Sequence, residues 1–117
     1  MQPNALMVIK KTTRKIAKKY IEDYIKYLQK EKKMPIKQVY LFGSYVKNKQ
    51  KNWSDIDVAV VSDKFKGKID PYEYLWLNLR DIDVQRGIEP VGFHPKNFIK
   101  QDPLVWEIKQ HGIKIKI

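Results

Sequence analysis

The run Ile56 to Val61 constrains this chain more than any other feature. It is rich in β-branched residues and apolar on both faces, and a strand of that kind survives only when both sides are covered, so it reads as the buried centre of a sheet. Gln38 to Phe42 reads as a second strand that stops at Gly43-Ser44, followed by a polar, lysine-rich connector to Trp53. Ile88 to Phe93 reads as a third strand, in which Pro90 cannot donate to a ladder and so points to a sheet edge or a bulge. Ile113, Ile115 and Ile117 alternate with lysines in a short fourth strand.

The intervening segments read as the helices that cover this sheet. From about Thr12 to Lys33, residues Ile16, Ala17, Tyr20, Ile21, Tyr24, Tyr27 and Leu28 recur at helical spacing and make one apolar face, with the lysines mostly on the other. Thr12 or Thr13 caps the start, and Met34-Pro35 ends the helix. Asp70-Pro71-Tyr72-Glu73 starts another, with Leu75, Leu79 and Ile82 as its inner stripe. Ser62 to Gly67 is a turn before it. Asp102-Pro103 starts a last helix through His111, with Gly112 as its C-terminal cap. The expected fold is α/β (α+β): a small mixed sheet with helices packed on it, and 117 residues fit it as a single domain.

Composition removes several classes of chemistry. The chain has no cysteine, which excludes disulfides, thiolate catalysis and cysteine-ligated zinc. No apolar run approaches the roughly 20 residues of a membrane span, so a cytoplasmic protein is expected. A net charge of +11, nearly all of it from lysine, attracts polyanions, including nucleic acid and the phosphates of a nucleotide, without naming one.

Chemistry concentrates in GSYVKNKQKNWSDID, from Gly43 to Asp57. Asp55 and Asp57 share a face of their strand while Ile56 points to the core, which puts their α-carbons roughly 7 Å apart. Carboxylates that close repel each other unless a cation joins them, and an all-oxygen site suits magnesium, which completes its shell with water and phosphate oxygens. Gly43 lets a phosphate approach the backbone, and Ser44 offers a hydroxyl and an amide as donors. For these halves to meet at one triphosphate, the end of the first strand must lie beside the start of the second, so those strands are expected to be antiparallel.

A Gly-Ser pair, ten intervening residues and Asp-x-Asp resemble the motif of the minimal nucleotidyltransferases of the DNA polymerase beta superfamily. The resemblance runs from about Val39 to Phe98, and SDIDVAVVS, from Ser54 to Ser62, is its most specific part. It implies a nucleotidyltransferase fold in which Asp55 and Asp57 hold two magnesium ions, while Gly43 and Ser44 hold a nucleoside triphosphate. Lys47 sits where many relatives carry arginine and is expected to touch phosphate. The family's third carboxylate, which completes the metal site and helps activate the attacking hydroxyl, is assigned to Glu89, with Asp81 and Asp83 as substitutes. Asn48 in place of a common glycine, and a glutamate followed by proline as third acid, depart from the family pattern without removing a metal ligand.

The implied reaction is in-line transfer of a nucleoside monophosphate to an acceptor, with pyrophosphate leaving. Compact members of the family resemble antitoxins paired with an α-helical HEPN-domain toxin, whose tyrosine they adenylylate from ATP, and that partner is the expectation here. Transfer to a small molecule, and a non-catalytic basic module or steric antitoxin, are the alternatives. Among other residues, Trp53 and Tyr45 are expected to pack or to stack on a base, and His94 and His111 to cap or face solvent. Tyr72 and Trp76, one helical turn apart, are expected in the core or at a partner surface.

Overall fold

The computed structural model describes residues 12–47, 49–50 and 55–117. Along the chain lie α1 (Arg14–Glu31), β1 (Gln38–Phe42), a 3-10 turn (Gly43–Tyr45), β2 (Ile56–Val61), α2 (Pro71–Leu77), α3 (Asp81–Gln85) and β3 (Ile88–Phe93). A second 3-10 turn (Pro95–Asn97), α4 (Pro103–His111) and β4 (Ile113–Lys114) complete it.

The four strands form one sheet in the order β3-β2-β1-β4. β1 runs antiparallel to both β2 and β4, whereas β3 runs parallel to β2, so the sheet is mixed as expected. β2 is central and buried: Ile56, Val58 and Val60 pack under α1 with its Ala17, Ile21, Tyr24, Ile25 and Leu28. Ala59 and Val61 pack on the opposite face with Phe93, Phe98, Val105 and Ile108. Full burial of one aliphatic side chain is worth about 1.5–3 kcal/mol, which is why this six-residue run can organise both layers. β3 is an edge strand with unbroken register from Ile88 to Phe93, so Pro90 marks the edge rather than a bulge.

Local capping follows the chemistry of the starts. Thr13 Oγ1 accepts from Ile16 N at 3.2 Å, Asp70 Oδ1 from Tyr72 N at 3.0 Å, and Asp102 Oδ1 from Leu104 N at 2.9 Å. Gly112 follows α4 and donates its N–H to Ile108 O, but with φ −72 it is not the left-handed cap that glycine usually supplies. A β-carbon there would overlap Ile108 O, so close approach is what requires glycine.

Two expectations need correction. The segment after Asp70 is not one helix, because it breaks at residues 78–80 and restarts at Asp81. Asn78 Nδ2 donates to Tyr74 O at 2.8 Å, and Asp83 Oδ2 accepts from Arg80 N at 2.9 Å. Those two local bonds finish one helix and open the next. Ile82 is consequently exposed, and the buried member of α3 is Asp83. The terminal strand is also shorter than the alternation suggests: Ile115 is buried and donates to Val39 O at 2.8 Å, but Ile117 is exposed.

Asp83 and Arg80 tie this region to α1. Arg80 grips the Asp83 carboxylate through Nε and Nη2 at 2.9 and 2.8 Å, and reaches Asp23 on α1 at 2.9 Å. Arg86 meets the same Asp23 at 2.8 Å, and together the two guanidinium groups hold its carboxyl below the usual carboxylate range. Asp83 is therefore a structural acid bound to its own arginine. Its neighbour Asp81 stands exposed at the first position of α3.

Candidate active site

Antiparallel pairing places Phe42 opposite Asp57, so the turn that follows β1 lies beside the start of β2. Gly43 enters this turn at φ +78, a left-handed conformation in which a side chain is strained. A β-carbon at Gly43 would overlap Asp57 Oδ2, so the absence of one lets the aspartate sit against the backbone. The two halves of the motif meet as the sequence requires.

On the other side of β2, parallel pairing sets Glu89 directly opposite Asp57. The Glu89 carboxyl hydrogen-bonds Asp55, and that bond first, then burial and the charges of Asp55 and Asp57, pushes it up to about 7. Burial, followed by the charge of Asp55, pushes Asp57 up to about 6. Three acids thus crowd one end of the sheet and two of them, Asp57 and Glu89, are raised, which is the electrostatic signature of carboxylates short of positive charge.

The donors at this end are all carboxylate oxygens, the chemistry that a hard dication prefers. Among the described residues, however, no three His, Cys, Asp or Glu side chains form a ready-made metal cage. An ion held here would draw the rest of its shell from water or from substrate oxygens, as magnesium usually does.

The remaining candidates divide. Ser44 lies in the 3-10 turn next to Gly43, half-buried. Lys47 Nζ pairs with Glu107 on α4 at 3.6 Å, an exposed contact worth at most about 1 kcal/mol and easily exchanged. Tyr45 is buried, its hydroxyl bonded to the Thr12 side chain, so it packs rather than stacks on a base. His94 caps the second 3-10 turn by accepting from Lys96 N, and His111 is exposed at the end of α4. Trp53, Asn48 and Ser54 lie outside the described residues.

Tyr72 and Trp76 belong to the surface rather than the core: their rings pair at 5.5 Å, and Trp76 Nε1 donates to Pro90 O at 3.2 Å. Trp76, Leu79, Val84 and Ile88 line a shallow hollow of about 210 Å³ whose wall includes Asp55 and Glu89. Of these Trp76 and Val84 are exposed, as is Tyr72, whose ring pairs with Trp76. The sequence gives no warning of this hollow, because it depends on the break between α2 and α3. Nor does anything in the sequence single out Arg14, one of 24 basic residues, which bonds the carbonyls of Tyr45 and Val46 in the turn.

The raised carboxyls have a consequence for stability. An acid whose folded-state pKa lies above its unfolded value stabilises the fold below the unfolded pKa, and that contribution is lost as pH rises through the folded pKa. For Asp57 and Glu89 the loss runs from about pH 4 to about pH 7. In EDTA, the melting temperature of wild type should therefore fall relative to Asp57→Asn across this window. Magnesium should restore it at pH 8 and not at pH 5. A parallel pH dependence in the two proteins would show that burial and Asp55 do not disfavour the Asp57 charge in the folded state.

In architecture this is a nucleotidyltransferase fold. Residues 22–116 match the sequence profile of the family described as Polymerase beta, Nucleotidyltransferase, and the chain belongs to that family. Among solved structures, a candidate nucleotidyltransferase from Sulfolobus solfataricus is similar at 16% identity and a TM-score of 0.53, over 87% of this chain and 78% of that one. A chain of a toxin–antitoxin complex crystallised with AMP-PNP is similar at 22% identity and a TM-score of 0.55, over 81% of this chain and 72% of the other. No curated protein matches the chain in sequence. Among the described residues, no helix is long and apolar enough to cross a membrane.

Proposed function

We propose that this chain transfers a nucleoside monophosphate, AMP from ATP, to a hydroxyl on a partner protein, as the antitoxin of a HEPN-type toxin–antitoxin pair. The observation that carries the reading is the meeting of the Gly43 turn with Asp57, and of Asp57 with Glu89 across β2. In this reading Asp55, Asp57 and Glu89 hold magnesium, and Gly43 and Ser44 cradle the triphosphate, with Lys47 free to exchange Glu107 for phosphate. Magnesium, when bound, would supply the positive charge that offsets the developing charge on the attacking and leaving oxygens. Glu89, opposite Asp57 and on the wall of the hollow, is placed to take the acceptor's hydroxyl proton.

Two observations support a protein acceptor. The hollow beside Asp55 and Glu89, at about 210 Å³, has room for one side chain and falls below the ~300–1,000 Å³ of ordinary small-molecule sites. Its surroundings expose large apolar side chains, as docking surfaces do. The similarity to a toxin–antitoxin complex with AMP-PNP supports both the adenine nucleotide and the partner.

The test is to co-express the chain with the product of the adjacent gene and supply ATP labelled at the α-phosphate. Magnesium-dependent label should appear on the partner. Binding of the partner with no label transferred, or equal neutralisation by Asp57→Asn, would leave a steric antitoxin instead. Val84→Gln tests the acceptor side. Val84 is exposed, so the fold should stay within about 0.5 kcal/mol, while transfer falls about tenfold at unchanged nucleotide affinity. Unchanged transfer by Val84→Gln would move the acceptor elsewhere.

A further inference from the structure

The turn that carries Gly43 and Ser44 is held from outside by a residue far away in sequence. Within the turn, Gly43 O accepts from Val46 N at 3.1 Å and Lys47 N at 3.3 Å, and Ser44 O accepts from Lys49 N at 3.0 Å. The next two carbonyls go to α1: Arg14 Nε donates to Tyr45 O at 3.1 Å, and Arg14 Nη2 to Val46 O at 2.8 Å. The four successive carbonyls from Gly43 to Val46 are thus accounted for, two by the turn and two by one guanidinium. Beside this contact the Tyr45 hydroxyl bonds the Thr12 side chain, and the buried Tyr45 ring joins the core under α1.

A planar guanidinium has the fork geometry to bind two neighbouring oxygens at once, and it stays charged at any working pH. Both properties matter beside a turn that must not shift relative to Asp57. Because Arg14 is the first residue of α1, whose inner face is anchored in the core, its reach to the turn starts from a rigid element.

We propose that Arg14 is a positioning residue for the nucleotide: by gripping the carbonyls of Tyr45 and Val46 it fixes the Gly43–Ser44 turn at the distance from Asp57 that triphosphate binding requires. This rests on the reading of that turn as the triphosphate cradle. Arg14 need not touch the nucleotide. Geometry rather than charge is its contribution, so lysine, which keeps the charge and loses the fork, should substitute only in part.

The experiment measures binding of magnesium and a non-hydrolysable ATP analogue by calorimetry, with melting curves for each protein, at a temperature where all are folded. Arg14→Ala should weaken the analogue about tenfold and Arg14→Lys about threefold, less than the bonds themselves are worth because Arg14 acts on the nucleotide only through the turn. Faster amide exchange at Tyr45 to Lys47 should accompany the loss. Should Arg14→Ala not fold, Arg14→Lys alone decides, through lowered affinity at an unchanged melting temperature. If wild type binds the analogue and the variants bind within twofold of it, Arg14 is only a fold staple and the proposal is overturned. If wild type itself does not bind, the cradle reading falls first and the role of Arg14 with it.

Discussion

Asp57→Asn should abolish transfer, lowering its rate by at least about a thousandfold, while leaving the protein folded and, without metal, slightly more stable. The two effects have one cause. Asp57 lies against the Gly43 turn on one side and opposite Glu89 on the other, so in the proposed site it is the carboxylate that joins the triphosphate cradle to the acid beside the acceptor hollow. Its charge is also one that the fold accommodates poorly, since burial and then Asp55 push its carboxyl up to about 6. Asparagine keeps the size and removes the charge. The measurement pairs α-labelled ATP transfer with melting in EDTA at pH 8. A variant that loses activity by unfolding, or keeps more than about a hundredth of wild-type transfer, would contradict this account.

How far the sequence discloses this arrangement depends on the range of the interaction. The central strand, its antiparallel neighbour and the caps at Thr13, Asp70 and Asp102 are set by alternation and by side chains within three residues, and they appear where the pattern places them. The meeting of Gly43 with Asp57 follows as soon as β1 and β2 are antiparallel. Other features depend on contacts between distant segments. The break between α2 and α3 combines local bonds, Asn78 to Tyr74 and Asp83 to Arg80, with the distant grip of Arg80 on Asp23 of α1. Periodicity sees only that Leu79 and Ile82 continue a stripe. The hollow next to Glu89 inherits this blindness, because Leu79 and Val84 reach it only once the helix has broken. Arg14 is a similar case: its sequence neighbours explain its place on the helix, whereas its hydrogen bonds lie more than thirty residues away.

Gly43→Ala should cost about 1–3 kcal/mol of stability and lower transfer at least about a hundredfold, and the two losses can be separated. Part of the stability cost is conformational, since at φ +78 a β-carbon crowds its own backbone whatever lies nearby. The rest is a collision with Asp57 Oδ2, which must swing away or push the turn off β2. Only the second part depends on Asp57. In an Asp57→Ala background the collision disappears while the conformational strain remains, so Gly43→Ala should cost measurably less there than in wild type. That coupling, read from four melting curves, reports the contact between turn and aspartate directly and needs no substrate. Equal costs in both backgrounds would mean that Asp57 does not rest against Gly43, and the site built on their approach would have to be abandoned.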